Sequence, residues 1–199
     1  YLSEFTDSGE ALEKLETGVD RAVLSTDDPS VYRYDQMDTN SSENSSMQMG
    51  TNSTAYYFSV ASSSIANFFD EMYLNTPWEQ HYNNLDGRTI LDRLASVKYF
   101  VVKKGKESDL PYGYSRLSGE AEKNGKTYLA YADEDALPLG YTYDSWISRE
   151  DYDKMTVTEK QQALLQGVVL DDSFLPETET HFNDREVSYY TSEGKGCRL

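Results

Sequence analysis

The segment from Asp86 to Val102 constrains the fold most. Behind Asp86, the expected helix cap, Ile90, Leu91, Leu94 and Ala95 recur at helical spacing. One residue later the chain enters Val97-Lys98-Tyr99-Phe100-Val101-Val102, a strongly β-prone run. A helix that feeds directly into an apolar strand has to bury both elements against a shared layer. The expected fold class is therefore α/β (α+β): a single domain with a mixed β-sheet and helices packed on it.

Other segments fit that frame. Asp7 and Glu10 bracket a capping box ahead of Ala11, Leu12 and Leu15, with Gly18 as the expected stop. Ala22-Val23-Leu24-Ser25 and Val31-Tyr32-Arg33-Tyr34-Asp35 read as strands around an Asp27-Asp28-Pro29-Ser30 turn. Residues 44–69 carry no charge at all, in a chain that is 27% charged. The first part of this stretch is loop-like, and Tyr56-Tyr57-Phe58-Ser59-Val60 reads as a short strand. Ser62, Ser63 and Ser64 then offer caps to a helix whose stripe is Ile65, Phe68, Phe69, Met72 and Tyr73, by default core. Tyr112-Gly113-Tyr114, Thr127-Tyr128-Leu129-Ala130-Tyr131 and Leu137 to Tyr143 read as strands, with Asp133-Glu134-Asp135 as a turn. Ser148 caps a short helix, Thr156 and Glu159 form a capping box for a longer one, and Val168-Val169-Leu170 follows as a strand. The domain is expected to occupy residues 1–170, with a strand near Val187 to Tyr190 inside a loose tail over 171–199.

Charge removes whole classes of function. Eighteen basic residues against 35 acidic ones leave −17 over 199 residues. Such a surface repels phosphate backbones, which excludes nucleic acid as a partner, and it repels anionic lipid headgroups. No run of about 18 apolar residues is present to span a bilayer. The single cysteine, Cys197, permits no intrachain disulfide and no multi-cysteine metal site. The chain opens on Tyr1 without a signal-peptide pattern and reads as an excised piece of something larger.

No phosphate loop, GxGxxG or HExxH motif occurs, and neither His81 nor His181 accompanies a nucleophile elbow. Acidic pairs at Asp27/Asp28, Asp133/Glu134/Asp135, Glu150/Asp151 and Asp171/Asp172 sit at turns and helix starts, where carboxylates cap amides. No EF-hand spacing is present, so neither a metal site nor a catalytic residue is assigned. A carboxylate pair that meets only in the fold is left open. Asn40, Asn44 and Asn52 begin N-glycosylation sequons, which an Asn/Ser-rich stretch produces by composition alone.

Tyrosine is over-used, with 17 Tyr against 7 Phe and 2 Trp. The plain reading is packing; the functional one is a neutral surface on which sugar rings stack. The candidate glycan-binding residues are Asn52, Ser62, Ser63, Trp78, Tyr141, Tyr143 and Trp146. Amides and hydroxyls would bond sugar OH groups and rings would stack on their CH faces.

One stretch carries a family resemblance. Leu137-Pro138-Leu139-Gly140-Tyr141-Thr142-Tyr143-Asp144-Ser145-Trp146-Ile147-Ser148, with Lys160 to Leu170 downstream, resembles the bacterial YfhO-type membrane proteins. Val31-Tyr32-Arg33-Tyr34, the Asn/Ser/Gly-rich stretch before the helix and Leu94-Ala95-Ser96-Val97-Lys98-Tyr99 agree in order, so the likeness covers about Val31 to Leu170. It implies a polytopic membrane parent resembling GT-C glycosyltransferases, which transfer sugar from polyprenyl-phosphate donors, here to teichoic acid or another surface polymer of Gram-positive bacteria. This chain would be its extracytoplasmic domain, on the outer face of the cell membrane. It would be attached to the parent's own transmembrane domain and serve acceptor recognition or scaffolding. It would hold no cofactor and be inactive alone, the polyprenyl-phosphate sugar belonging to the parent. The alternative is a free-standing exported module that binds surface polysaccharide or protein. A hydrolase built on scattered carboxylates is a third reading.

Overall fold

A computed structural model describes residues 9–10, 13, 16–37, 44–60, 62–75, 80–171, 173, 188–190 and 196–198. Helix α1 (Gly18–Leu24) starts where Thr17 caps it: the Asp20 N–H donates to Thr17 Oγ1 at 3.1 Å while the Asp20 carboxylate accepts from the Thr17 N–H at 3.3 Å. This reverses two sequence expectations. Gly18 opens a helix instead of closing one, and Ala22-Val23-Leu24 is helical, because the local box outweighs the β propensity of a short apolar run. Most of the helix expected earlier, over 7–15, lies outside the described residues.

Strand β1 (Arg33–Gln36) is followed by a short helix α2 (Ser45–Met49), closed by Gly50 at φ +69°, where a loop was expected. Strand β2 (Tyr56–Tyr57) pairs antiparallel with β3 (His81–Tyr82), and α3 (Ser63–Glu71) lies between them in sequence. Ser62 is the N-cap residue of α3 by backbone geometry, with no side-chain bond. The stripe of α3 is only partly core. Phe69 and Met72 are buried, whereas Ile65 in the first turn and Tyr73, which leaves the helix at φ +49°, are exposed.

Helix α4 (Thr89–Leu94) runs into β4 (Val97–Lys103) as expected. Its N-cap residue is Arg88, not Asp86. Asp86 instead sits at φ +56° and accepts from the Asn75 N–H at 3.3 Å and pairs with Arg88 at 3.3 Å. Between Lys103 and Lys126, where a strand was expected only at Tyr112 to Tyr114, the chain forms an eight-residue strand, β5 (Arg116–Lys123), and Tyr112 to Tyr114 is a turn with Gly113 at φ +98°. Strand β5 returns as β6 (Lys126–Ala132) through Asn124 and Gly125, both with positive φ, the geometry of a two-residue hairpin loop.

Leu137 to Tyr143 is not a strand. Pro138 has no N–H to donate, and the Leu137 N–H is taken by the Arg93 carbonyl at 3.2 Å, which pins the run across the end of α4. The strand begins later, as β7 (Trp146–Ser148). The chain then forms α5 (Arg149–Asp153), capped by Ser148, and α6 (Val157–Leu164), with the expected Thr156/Glu159 capping box. Strand β8 (Val168–Leu170) pairs parallel with β7. Strands β9 (Ser188–Tyr190) and β10 (Gly196–Arg198) form an antiparallel pair.

The principal sheet has the order β1-β4-β6-β5. Its β1/β4 pair is parallel and the other two are antiparallel, so the sheet is mixed, as the α/β reading requires. Strand β4 is covered on both faces, which explains its unbroken apolar run. Tyr99 and Val101 join Val19, Ala22, Val23 and Tyr34 beneath α1. Phe100 and Val102 join Phe69, Met72, Leu91, Ile147 and Tyr152 on the other face. Helix α1 lies almost backbone to backbone on β5: a Cβ on Gly119 would stand 2.2 Å from the Ala22 carbonyl oxygen. The register of β5 shifts at this point, between Leu117 and Gly119.

Candidate functional site

A groove of about 370 Å3 opens between α3 and the unit formed by α5, α6 and β8. The volume lies within the ~300–1,000 Å3 typical of small-ligand sites. Helix α3 supplies Ser64, Asn67, Phe68 and Glu71, which fall on one face by their three- and four-residue spacing. Arg149 and Tyr152 of α5 line the opposite wall, and Leu164 and Val169 complete it.

Electrostatics make this groove locally neutral on a very acidic chain. The Arg149 guanidinium pairs with the Glu71 carboxylate across the groove and with Asp153 at 3.0 Å. It also lies 5.5 Å from the centroid of the Tyr152 ring, with the Lys160 ammonium 5.0 Å from the same centroid. The bond to Glu71 holds the Arg149 pKa above its ordinary value. Burial, and then the Glu71 charge, push the Tyr152 hydroxyl up to about 12. The groove thus offers amide and hydroxyl groups, a half-buried Phe68 ring and one ion pair. It can hold a neutral, hydroxyl-rich ligand through hydrogen bonds and ring contact. A second hollow, of about 220 Å3, lies beside β4 and is lined by Val101, Val102, Met37 and Tyr128, with Lys103 and Lys106.

The residues singled out from sequence are dispersed. Ser62 and Ser63 stand exposed at the start of α3, on the helix that forms the groove wall. Tyr143 donates its hydroxyl to the carbonyl of groove-lining Leu164 and contacts Tyr141 edge to face, with centroids 5.4 Å apart. Tyr141 in turn donates to the Leu94 carbonyl at 3.1 Å. Trp146 is buried in β7 at 8% exposure. Asn52 belongs to a different region: its Nδ2 donates to the Tyr32 carbonyl at 3.1 Å, and its own carbonyl accepts from the Tyr34 N–H at 2.9 Å, beside β1. Trp78 lies outside the described residues. Sequence reading passed over Asn67, Glu71, Arg149 and Tyr152 as site residues. Asn67 and Phe68 lie in the uncharged stretch that drew attention. The Glu71–Arg149 pair spans 78 positions and leaves no local signal.

The carboxylates that meet in the fold are Asp35 and Asp92, both 0% exposed. Asp35 accepts from the Gln36 N–H at 2.6 Å, the Thr54 hydroxyl at 2.8 Å and the Leu85 N–H at 3.0 Å. Asp92 faces Asp35 and the Tyr114 hydroxyl, yet neither of its oxygens has a well-formed hydrogen bond. Burial, and then the Asp35 charge, hold the Asp92 carboxyl far above the usual range, so it keeps its proton at neutral pH. Burial raises Asp35 as well, against the three donors that favour its charge. Closed off from solvent, this pair stands where β1 meets α4 and lines neither hollow. The Asp133 carboxylate is likewise structural, held by Arg93 at 2.7 and 3.1 Å. Among the described residues no three His, Cys, Asp or Glu side chains are grouped to hold a metal ion, and no helix is long and apolar enough to cross a membrane.

Residues 2–195 match the family described as "Bacterial membrane protein YfhO". The match extends beyond the likeness read from Val31 to Leu170, at both ends. A curated relative, "Uncharacterized protein YfhO" of Bacillus subtilis (strain 168), is 26% identical over 155 residues, covering 76% of this chain. The aligned part is 17% of that relative's own length. No solved structure matches. The chain belongs to the YfhO family of bacterial membrane proteins.

Proposed function

We propose that this YfhO-family chain is the extracytoplasmic part of a polytopic membrane protein. In this reading it recognises the acceptor when sugar passes from a polyprenyl-phosphate donor to a cell-surface polymer. The groove between α3 and α5 is the observation that carries the reading. On a chain of net charge −17, its lining charges cancel within the Glu71–Arg149 pair, and the rest of the lining is amide, hydroxyl, aromatic and aliphatic. A neutral cleft admits a saccharide unit that the acidic surface neither attracts nor repels. The donor lipid and the transfer chemistry belong to the parent, so the isolated chain binds weakly and turns nothing over.

The test pairs binding with transfer. NMR titration of the isolated chain with neutral mono- and disaccharides should move the signals of Ser64, Asn67 and Tyr152. Asn67→Ala, on an exposed position, should weaken that binding without unfolding the chain. In membranes holding the full-length protein, the same substitution should slow sugar transfer to the acceptor. Transfer at the unaltered rate by full-length Asn67→Ala and Phe68→Ala proteins would overturn acceptor recognition by this groove. Turnover by the isolated chain would overturn the assignment of chemistry to the parent.

A further inference from the structure

We propose that the β2-to-α3 connection, along which Phe58, Val60 and Ile65 are each exposed, is the tip on which this chain rests at the headgroup–acyl boundary of a bilayer. The three residues close the β2-to-α3 connection: Phe58 follows β2, and Ile65 is in the first turn of α3. They are 48%, 89% and 39% exposed. Tyr57 extends the tip, half exposed beside the His81 ring at 4.6 Å.

The occupant follows from charge. At 27% charged residues, a stretch of 26 should carry about seven charges, yet residues 44–69 carry none. Solvation alone does not ask for that: water tolerates charge, and the rest of this chain is dense with it. A low-dielectric interface penalises every charge brought to it. Phe, Tyr and aliphatic side chains on an uncharged loop suit that boundary, where aromatic rings favour the headgroup level. Membership of a membrane-protein family places a bilayer within reach. With −17 elsewhere, the chain is repelled by anionic lipid, so the tip orients the domain and does not anchor it. The proposal is independent of which side of the membrane the chain occupies and of what the groove holds.

The test uses zwitterionic phosphatidylcholine vesicles and the full chain. In a Cys197→Ser background, an environment-sensitive dye is attached through Val60→Cys and, as control, through Leu117→Cys on exposed β5. At millimolar lipid the dye at position 60 should shift to the blue and be quenched by spin-labelled lipid, while the dye at 117 stays unchanged. In flotation, Val60→Asp should reduce the bound fraction about tenfold; at 89% exposure it does not threaten folding. Mixing in phosphatidylglycerol should lower binding. An unshifted dye at 60, equal shifts at both positions, or stronger binding to the anionic vesicles would overturn the proposal. So would a shift that tracks protein concentration instead of lipid, which would assign the tip to a second copy of the chain.

Discussion

Replacing Asp92 by Asn is expected to make the protein more stable at pH 8 than at pH 6, relative to the unaltered chain. Asp92 is sealed against Asp35 and keeps its proton, with a pKa raised from 3.8 to about 9 by burial first and by the Asp35 charge second. Unfolding releases it to water, where a carboxyl ionises near 4. A raised folded-state pKa contributes stability that is complete below the unfolded value and is lost as pH rises through the folded one. Across pH 4 to 9 Asp92 by itself therefore keeps about one proton more in the native state than in the unfolded chain. Stability falls by about 1.4 kcal/mol per pH unit. Between pH 6 and 8 that amounts to about 2.7 kcal/mol, a large share of the ~5–15 kcal/mol typical of a domain.

The amide introduced by Asp92→Asn would keep the shape, donate to the Asp35 carboxylate and have nothing to titrate. Urea unfolding followed through the buried Trp146 should be measured for both proteins at pH 6, 7 and 8. Repulsion among the −17 surface charges changes with pH in both alike and cancels in the difference. The stability of Asp92→Asn minus that of the unaltered chain should grow by at least about 2.7 kcal/mol from pH 6 to 8, because Asp35, also raised by burial, loses its acidic neighbour in the variant. A difference that stays constant within about 0.5 kcal/mol, the usual scatter of such comparisons, would refute the reading that folded Asp92 keeps its proton.

The other expectations concern single contacts. Gly119→Ala should cost about 1–3 kcal/mol in urea unfolding, because a methyl 2.2 Å from the Ala22 carbonyl forces α1 off β5. Thr156→Ala should cost about 1 kcal/mol by the same measurement, through loss of an exposed capping box. Asp28 is partly buried, which alone would raise its pKa. Its bonds to Lys98, Ser30 and Tyr99 prevail and hold it well below the usual carboxylate range. Its stabilisation is thus present above about pH 4 and lost as pH falls. Acid titration followed by circular dichroism should show Asp28→Asn less stable at neutral pH, with the gap closing toward pH 2.

Much of the fold was legible wherever a local pattern had no competitor. The α4-to-β4 junction, the Ser148 and Thr156 caps and the β6 and β8 strands are each specified by neighbours within a few residues. Strand β5 went unread because its own residues are too polar to suggest a strand, although the Asn124-Gly125 dipeptide that closes its hairpin is a local signal. Errors arose where two local tendencies competed. Ala22-Val23-Leu24 favours β by composition, but the Thr17–Asp20 box decides for helix. Leu137 to Tyr143 alternates like a strand, yet a proline and one bond to Arg93 hold it irregular.

By itself, the sequence determined the charge, the mixed α/β layering, the neutral stretch over 44–69 and, through ordered motifs, the family. The tertiary structure alone decided which polar groups meet. Glu71 and Arg149 are 78 positions apart and Asp35 and Asp92 are 57 apart, on elements that reach each other only once the sheet is covered on both faces. Hydrophobic periodicity records which face of an element is buried, and carries no record of what stands opposite. The groove and the proton that Asp92 keeps are both products of what stands opposite.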